Sequence, residues 1–253
     1  MRNTIVAILA LAVVNMLGAQ PRDAKPTIVL VHGAFADASG WSDVIDRLQK
    51  RGYNVVAVQN PLSDLATDVA TTKRLIDAQP GDVVLVGHSY GGAVISGASA
   101  GDSKVKALVY ISAFAPDADE PVGAIGAKFP APPLNKALVP DAAGFAYIDT
   151  AKFHAVFAAD LPVAKTRIMA VTQKPLSTRV FEQSNSGAGW KTIRSWFLIA
   201  KQDQAINPDV ERFYARRAKS ETREVESSHV SFLSHPDVVA KLIIDAAVTV
   251  TPK

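Results

Sequence analysis

Short, wholly apolar runs rich in β-branched residues alternate along this chain with longer amphipathic stretches, and few architectures accommodate that rhythm. TIVLVHG (Thr27 to Gly33) is a continuous apolar run that stops at a glycine. Behind it, WSDVIDRLQKRG (Trp41 to Gly52) sets Trp41, Val44, Ile45 and Leu48 on one helical face, with Gly52 as its stop. YNVVAV (Tyr53 to Val58), DVVLVG (Asp82 to Gly87) and VKALVYIS (Val105 to Ser112) repeat the strand signal. Helical stretches separate them, LATDVATTKRLIDA (Leu65 to Ala78) and YGGAVISGAS from Tyr90. The same order returns near the C-terminus with TIRSWFLIA (Thr192 to Ala200), PDVERFYARRA (Pro208 to Ala218) and TREVE (Thr222 to Glu226). HPDVVAKLIIDAA (His235 to Ala247) closes the series as a helix, with Ser234 available as its cap. Strands apolar on both faces, alternating with helices, predict an α/β fold whose mostly parallel, doubly wound sheet is covered on both sides.

Between Ala115 and Gly189 the rhythm fails. Six of the fifteen prolines fall from Pro116 to Pro140, and FPAPPLNK excludes regular helix or a central strand. Aromatic residues are frequent there: Phe129, Phe145, Tyr147, Phe153, Phe157 and Phe181. The segment 115–189 is therefore predicted to be a cap or lid over the carboxyl ends of the strands, where open parallel sheets hold their sites. Residues 20–114 and 190–253 form the core in this reading. Disorder is the competing description of the Pro-rich stretch, and applies at most to residues 128–140.

The first nineteen residues stand apart. Arg2 and the amino terminus supply positive charge, Ile5 to Val14 is an unbroken apolar run, and Gly18 and Ala19 are small. That is the layout of a secretory signal peptide cleaved after Ala19, so the protein is expected to be secreted or periplasmic. The run is short for a membrane span; a buried N-terminal helix or strand is the alternative. The chain has no cysteine, which removes disulfides, thiolate zinc sites and a cysteine nucleophile. With 48% of its residues apolar, the chain must hold its fold by its core alone. A net charge of +3 without a dense Lys/Arg run gives no reason to expect nucleic acid. No cofactor or metal is called for, and the oligomeric state is not legible.

Residues 85–92, LVGHSYGG, contain a G-x-S-x-G centred on Ser89. Three fixed positions recur by chance in roughly one random chain of this length in ten, given ordinary Gly and Ser usage. Context carries the weight: Ser89 directly follows a predicted strand and opens a helix, the setting of a nucleophile elbow. A serine hydroxyl also needs a base, and the chain offers five histidines. His88, adjacent to Ser89, is turned away by the elbow; His32 is structural; His235 packs at a helix start; His154 lies in the lid and could touch substrate. His229, in VESSHVSFLSHP after the last strand, is the candidate base. Asp203, in FLIAKQDQAINP at another carboxyl edge, is the candidate acid to orient it. Asp209 competes, but its place one residue into a helix suits the helix dipole.

VHGAFADASGW, VLVGHSYGG, the Asp203 loop and the SSHVSF loop together resemble the α/β-hydrolase superfamily, over about Lys25 to Ala247. The branch it is most similar to is the small lidded serine esterases, which include plant methyl-ester esterases and hydroxynitrile lyases. Early strands that some members carry before the first glycine turn are missing. The chain order Ser89, Asp203, His229 is that of the superfamily. The resemblance implies an oxyanion hole from the backbone N–H groups of Ala34 and Tyr90. It also implies hydrolysis of carboxylic esters of small to medium apolar substrates through an acyl-enzyme. Phe35, Phe114, His154 and Phe157 are candidate pocket residues. Two alternatives remain: a hydroxynitrile lyase-like C–C lyase, and a ligand-binding homologue with little turnover. Against the lyase, Val230 and Gly33 stand where those enzymes carry lysine and threonine. Ser89 at the elbow also argues against a dehalogenase, whose branch needs aspartate there.

Overall fold

The computed structural model describes residues 25–251. In chain order the first half runs β1 (Thr27–Val31), α1 (Ser42–Lys50), β2 (Val55–Val58), α2 (Leu65–Asp77), β3 (Val83–His88), α3 (Tyr90–Ala98) and β4 (Val105–Ile111). Five elements follow within the irregular region: β5 (Leu138–Pro140), β6 (Phe145–Ile148), α4 (Phe153–Phe157), α5 (Val163–Thr172) and β7 (Leu176–Ser177). The chain then resumes with β8 (Ser195–Ala200), α6 (Pro208–Arg217), β9 (Glu221–Val225), α7 (Ser231–Ser234) and α8 (Pro236–Val250). Every strand foreseen between Thr27 and Glu226 exists, with ends that differ by one to three residues: most are shorter, β3 runs on to His88, and β9 begins one residue earlier at Glu221.

The main sheet has six parallel strands in the order β2-β1-β3-β4-β8-β9. Residues of β1, β3 and β8 are buried throughout, which is why each reads as a continuous apolar run rather than an alternating one. The edge strand β9 is mostly exposed, and its sequence ETREV places charge along an edge that would otherwise invite pairing. Because the chain leaves β1 for one side of the sheet and returns to β3 on the other, the switch point lies between β1 and β3. Ligand crevices in such sheets open at the carboxyl ends of those two strands.

The helix α3 is buried over nearly its whole length, which explains its Gly, Ala and Ser content. A Cβ on Gly92 would lie 2.2 Å from the carbonyl oxygen of Phe114, so only glycine lets α3 start this close to the end of β4. The last helix departs from the predicted cap. Ser234 belongs to α7, where its hydroxyl meets Ser227; α8 begins instead at Pro236, behind His235 and without a side-chain cap.

Residues 115–189 are ordered, and the Pro-rich stretch is not disordered: Pro133–Lys136 makes a 3₁₀ turn and Leu138–Pro140 a strand. Here β5, β6 and β7 form a small antiparallel sheet with Pro140 on an edge strand. Residues 1–19, read as a signal peptide, lie outside the described residues. No helix among the described residues is long and apolar enough to cross a membrane.

Candidate active site

Ser89 sits between the end of β3 and the first turn of α3 at φ 54° and ψ −125°, a conformation that a residue with a Cβ rarely adopts. Strain of this kind costs on the order of 1–3 kcal/mol and persists only when the surroundings fix it. They do. Its N–H donates to the Ile111 carbonyl at 3.1 Å, and its carbonyl accepts from Gly92 and Phe114 at 3.0 and 3.1 Å. The result lifts the side chain off the sheet edge at the N-terminus of α3. A Cβ on Gly33 would lie 2.6 Å from the Cβ of Ser89, so glycine there lets the turn after β1 lie directly against the elbow.

His229 follows β9 and is almost fully buried. Its Nδ1–H donates to Asp203 Oδ2 at 2.5 Å, which leaves Nε2 unprotonated in the neutral ring. Two rings pack against it, His88 at 4.6 Å and Phe157 at 5.1 Å between centroids. His88 also donates from Nε2 to the His229 carbonyl at 3.0 Å. Burial, then the neighbouring His229, push the His88 pKa well below the usual imidazole range, so it stays neutral and supports the loop. On the carboxylate side, Asp203 Oδ1 accepts the N–H groups of Ala205 and Ile206 at 2.6 and 2.9 Å. Three donors thus hold a buried aspartate against a histidine ring.

Ser89 and His229 line one cavity of about 560 Å³, together with Ala34 and Tyr90. The backbone N–H groups of Ala34 and Tyr90 donate to no acceptor among the described residues. Each flanks the elbow, and each is free to receive a developing negative charge. The Tyr90 side chain points elsewhere: its hydroxyl donates to the buried Asp68 at 2.8 Å. Among the described residues no charged side chain lines the cavity; apart from the groups already named, Asn135 and Asn207 supply its polarity. More than half of the lining residues come from 115–189. Phe35, Phe114 and Phe157 all contribute to the wall, and Phe35 packs edge-on to Phe157 at 6.1 Å.

His154 does not line the cavity. Its Nδ1 pairs with Thr166 Oγ1 at 3.1 Å, joining α4 to α5, so it was placed in the pocket by region but is not among the residues that line it. His32 accepts the Asn60 N–H on Nε2 and donates from Nδ1 to the Gly33 carbonyl, with its pKa lowered to about 4 chiefly by burial. His235 contacts the Glu226 carbonyl, and Asp209 pairs with Arg212 in the first turn of α6.

The sequence reading missed Asp160 in the inserted segment. Its carboxylate accepts from Ser227 Oγ, Ser228 Oγ and the Ser228 N–H, clamping the two residues that precede His229. Burial raises its pKa, but the serine donors outweigh that and hold it below the usual carboxylate range. Nothing local marks Asp160 for this task, since its partners lie 67 residues away. Among the described residues no three His, Asp or Glu side chains converge as a metal site.

The alpha/beta hydrolase family profile matches residues 28–242. An alpha/beta hydrolase of Aspergillus novofumigatus, nvfD, is 28% identical over 88% of this chain and 97% of its own length. Methylesterase 2 of Arabidopsis thaliana is 25% identical over 88% of this chain and 96% of its own. The crystal structure of a pyrethroid hydrolase from Sphingobium faniae superposes with a TM-score of 0.74 at 22% identity, covering 88% of this chain and 97% of that one.

Proposed function

The chain belongs to the alpha/beta hydrolase family, and from that frame we infer that it hydrolyses carboxylic esters, with Ser89 as nucleophile, His229 as base and Asp203 as the acid that orients it. The observation that carries the reading is the shared cavity of Ser89, His229, Ala34 and Tyr90, with Asp203 on the far nitrogen of His229. Esterase names among the relatives, such as Methylesterase 2, agree with it.

His229 Nε2 takes the hydroxyl proton as Ser89 Oγ attacks the ester carbonyl carbon. Negative charge moves to the carbonyl oxygen and meets the N–H groups of Ala34 and Tyr90. Asp203 stabilises the imidazolium without taking its proton. Collapse expels the alcohol, protonated by His229, and leaves an acyl-serine. Water then attacks that ester with His229 again as base, releasing the acid and restoring Ser89.

The cavity favours neutral, apolar esters. Its volume is within the range of small-molecule sites, and an ionised substrate would find no counter-charge on its walls. The same lining weighs against cyanohydrin cleavage, because among the described residues no cation lines the cavity to meet a departing cyanide. Val230, directly after His229, is buried and apolar. Residues 115–189 act as the cap that closes this chamber, and residues 1–19 direct export of the mature chain beginning at Gln20. A panel of p-nitrophenyl esters of increasing acyl length, run on wild type and Ser89→Ala, tests the reading. Turnover that peaks at a medium chain length and vanishes in the variant supports it. A stoichiometric release of p-nitrophenol that then stops would instead mark a ligand-binding homologue.

A further inference from the structure

The buried face of α6 carries a carboxyl that the reaction above does not use. Glu211 is fully buried. Its Oε2 accepts the Ala200 N–H at 3.1 Å, while Oε1 is buried with no hydrogen-bond partner among the described residues. The group beside it is the Asp203 carboxyl. Both acids are tied to Ala200, whose N–H Glu211 accepts and whose carbonyl takes the Asp203 N–H, and a buried carboxylate with an unpartnered oxygen beside a second carboxylate is hard to reconcile with two negative charges. One proton on it resolves both the missing partner and the repulsion.

The donors decide which acid holds that proton. Asp203 receives Ala205 N–H, Ile206 N–H and His229 Nδ1–H, three of about four lone-pair positions on a carboxylate. Glu211 receives only Ala200 N–H. Asp203 also faces the ring that becomes cationic during the reaction, so the charge is better placed there. Arg212, next to Glu211 on α6, forks onto Glu224 and reaches Asp209, leaving its opposing charge weak at this point. Burial first, then the Asp203 charge, push the Glu211 carboxyl well above the usual range.

We propose that Glu211 is a neutral acid at physiological pH whose Oε1–H donates to Asp203, completing its hydrogen bonds and holding it against His229. Glu211 is thus a positioning residue, and the role rests on Asp203 being the acid that orients the base. The test uses Glu211→Gln and Glu211→Leu. It records kcat/KM against pH, thermal midpoints, and the infrared difference spectrum between wild type and Glu211→Gln at pH 7. The wild type should show a protonated-carboxyl C=O stretch that Glu211→Gln lacks. Glutamine offers an oxygen to Ala200 and an N–H to Asp203. That variant should therefore stay within about threefold of wild type with its acidic limb unmoved, whereas folded Glu211→Leu loses about tenfold or more in kcat. A missing carboxyl band overturns the proposal. So does an acidic limb lowered by roughly half a pH unit in Glu211→Gln, which would mean that a negative charge had been removed. Full kcat in Glu211→Leu would reduce Glu211 to filler and equally overturn it. If Glu211→Leu does not fold, the spectrum and the Glu211→Gln limb decide. The infrared band reads the proton on Glu211 whether or not Ser89 is the nucleophile, so the two readings fail separately.

Discussion

Replacing Asp203 with asparagine changes almost no volume but forces a choice on the amide. Oriented one way, its oxygen keeps the Ala205 and Ile206 N–H groups and its NH₂ faces His229 Nδ1. Flipped, it serves His229 and leaves two buried backbone N–H groups facing an NH₂, at about 1–3 kcal/mol each. The first orientation wins by a few kcal/mol. An NH₂ donor at Nδ1 moves the ring proton to Nε2, the atom that must accept the proton of Ser89. The carboxylate that stabilises the imidazolium is lost as well. The expected result is a fall in kcat of about 10³–10⁴-fold, or roughly 4–5.5 kcal/mol in the barrier, with KM little changed. The assay is initial rates on a neutral p-nitrophenyl ester at pH 7.5, with the thermal midpoint as a control for folding. A folded Asp203→Asn protein that keeps more than a tenth of wild-type kcat would refute the reasoning.

Three further outcomes follow from the same geometry. Tyr90→Phe removes the hydroxyl from Asp68, whose other oxygen keeps the Leu62 N–H. Stability should drop by about 1–3 kcal/mol and Tm by about 3–10 °C, with kcat within a few-fold because the proposed role of Tyr90 uses its main chain. His32 has a folded pKa of about 4 against an ordinary 6.5, so the unfolded chain binds the extra proton between those values. Its stabilising contribution is full above pH 6.5 and lost on the way to pH 4. That difference is worth about 3 kcal/mol. Tm should therefore fall less steeply over that window in His32→Gln than in wild type, and parallel slopes would contradict the assignment. Finally, an ester bearing a free carboxylate on its acyl group should show kcat/KM at least about 100-fold below its neutral methyl-ester counterpart, because the cavity offers no cation.

The core was legible because its strands are buried on both faces, so β1, β3 and β8 announce themselves as apolar runs. The elbow was legible for a related reason: Ser89 falls between two strongly patterned elements. Asp203 and His229 could be chosen because each follows a recognisable strand. The small sheet of 115–189 was not legible, since its strands are two to four residues long and pair antiparallel across an irregular segment. His154 was assigned by region rather than direction, and the α4–α5 contact turns it from the cavity. Glu211 left one unread signal: an acid on the same face of a helix as Val210 and Tyr214, where the apolar pattern predicts burial.

The central claim is that Ser89 is the nucleophile. A p-nitrophenyl alkylphosphonate tests it directly, because it stalls after displacement by an activated serine. Wild type should release one equivalent of p-nitrophenol, gain the mass of one phosphonyl group, and carry it on Ser89 in the peptide map. Ser89→Ala should stay unlabelled. A phosphonyl group on another residue, or equal labelling of Ser89→Ala, would contradict the account.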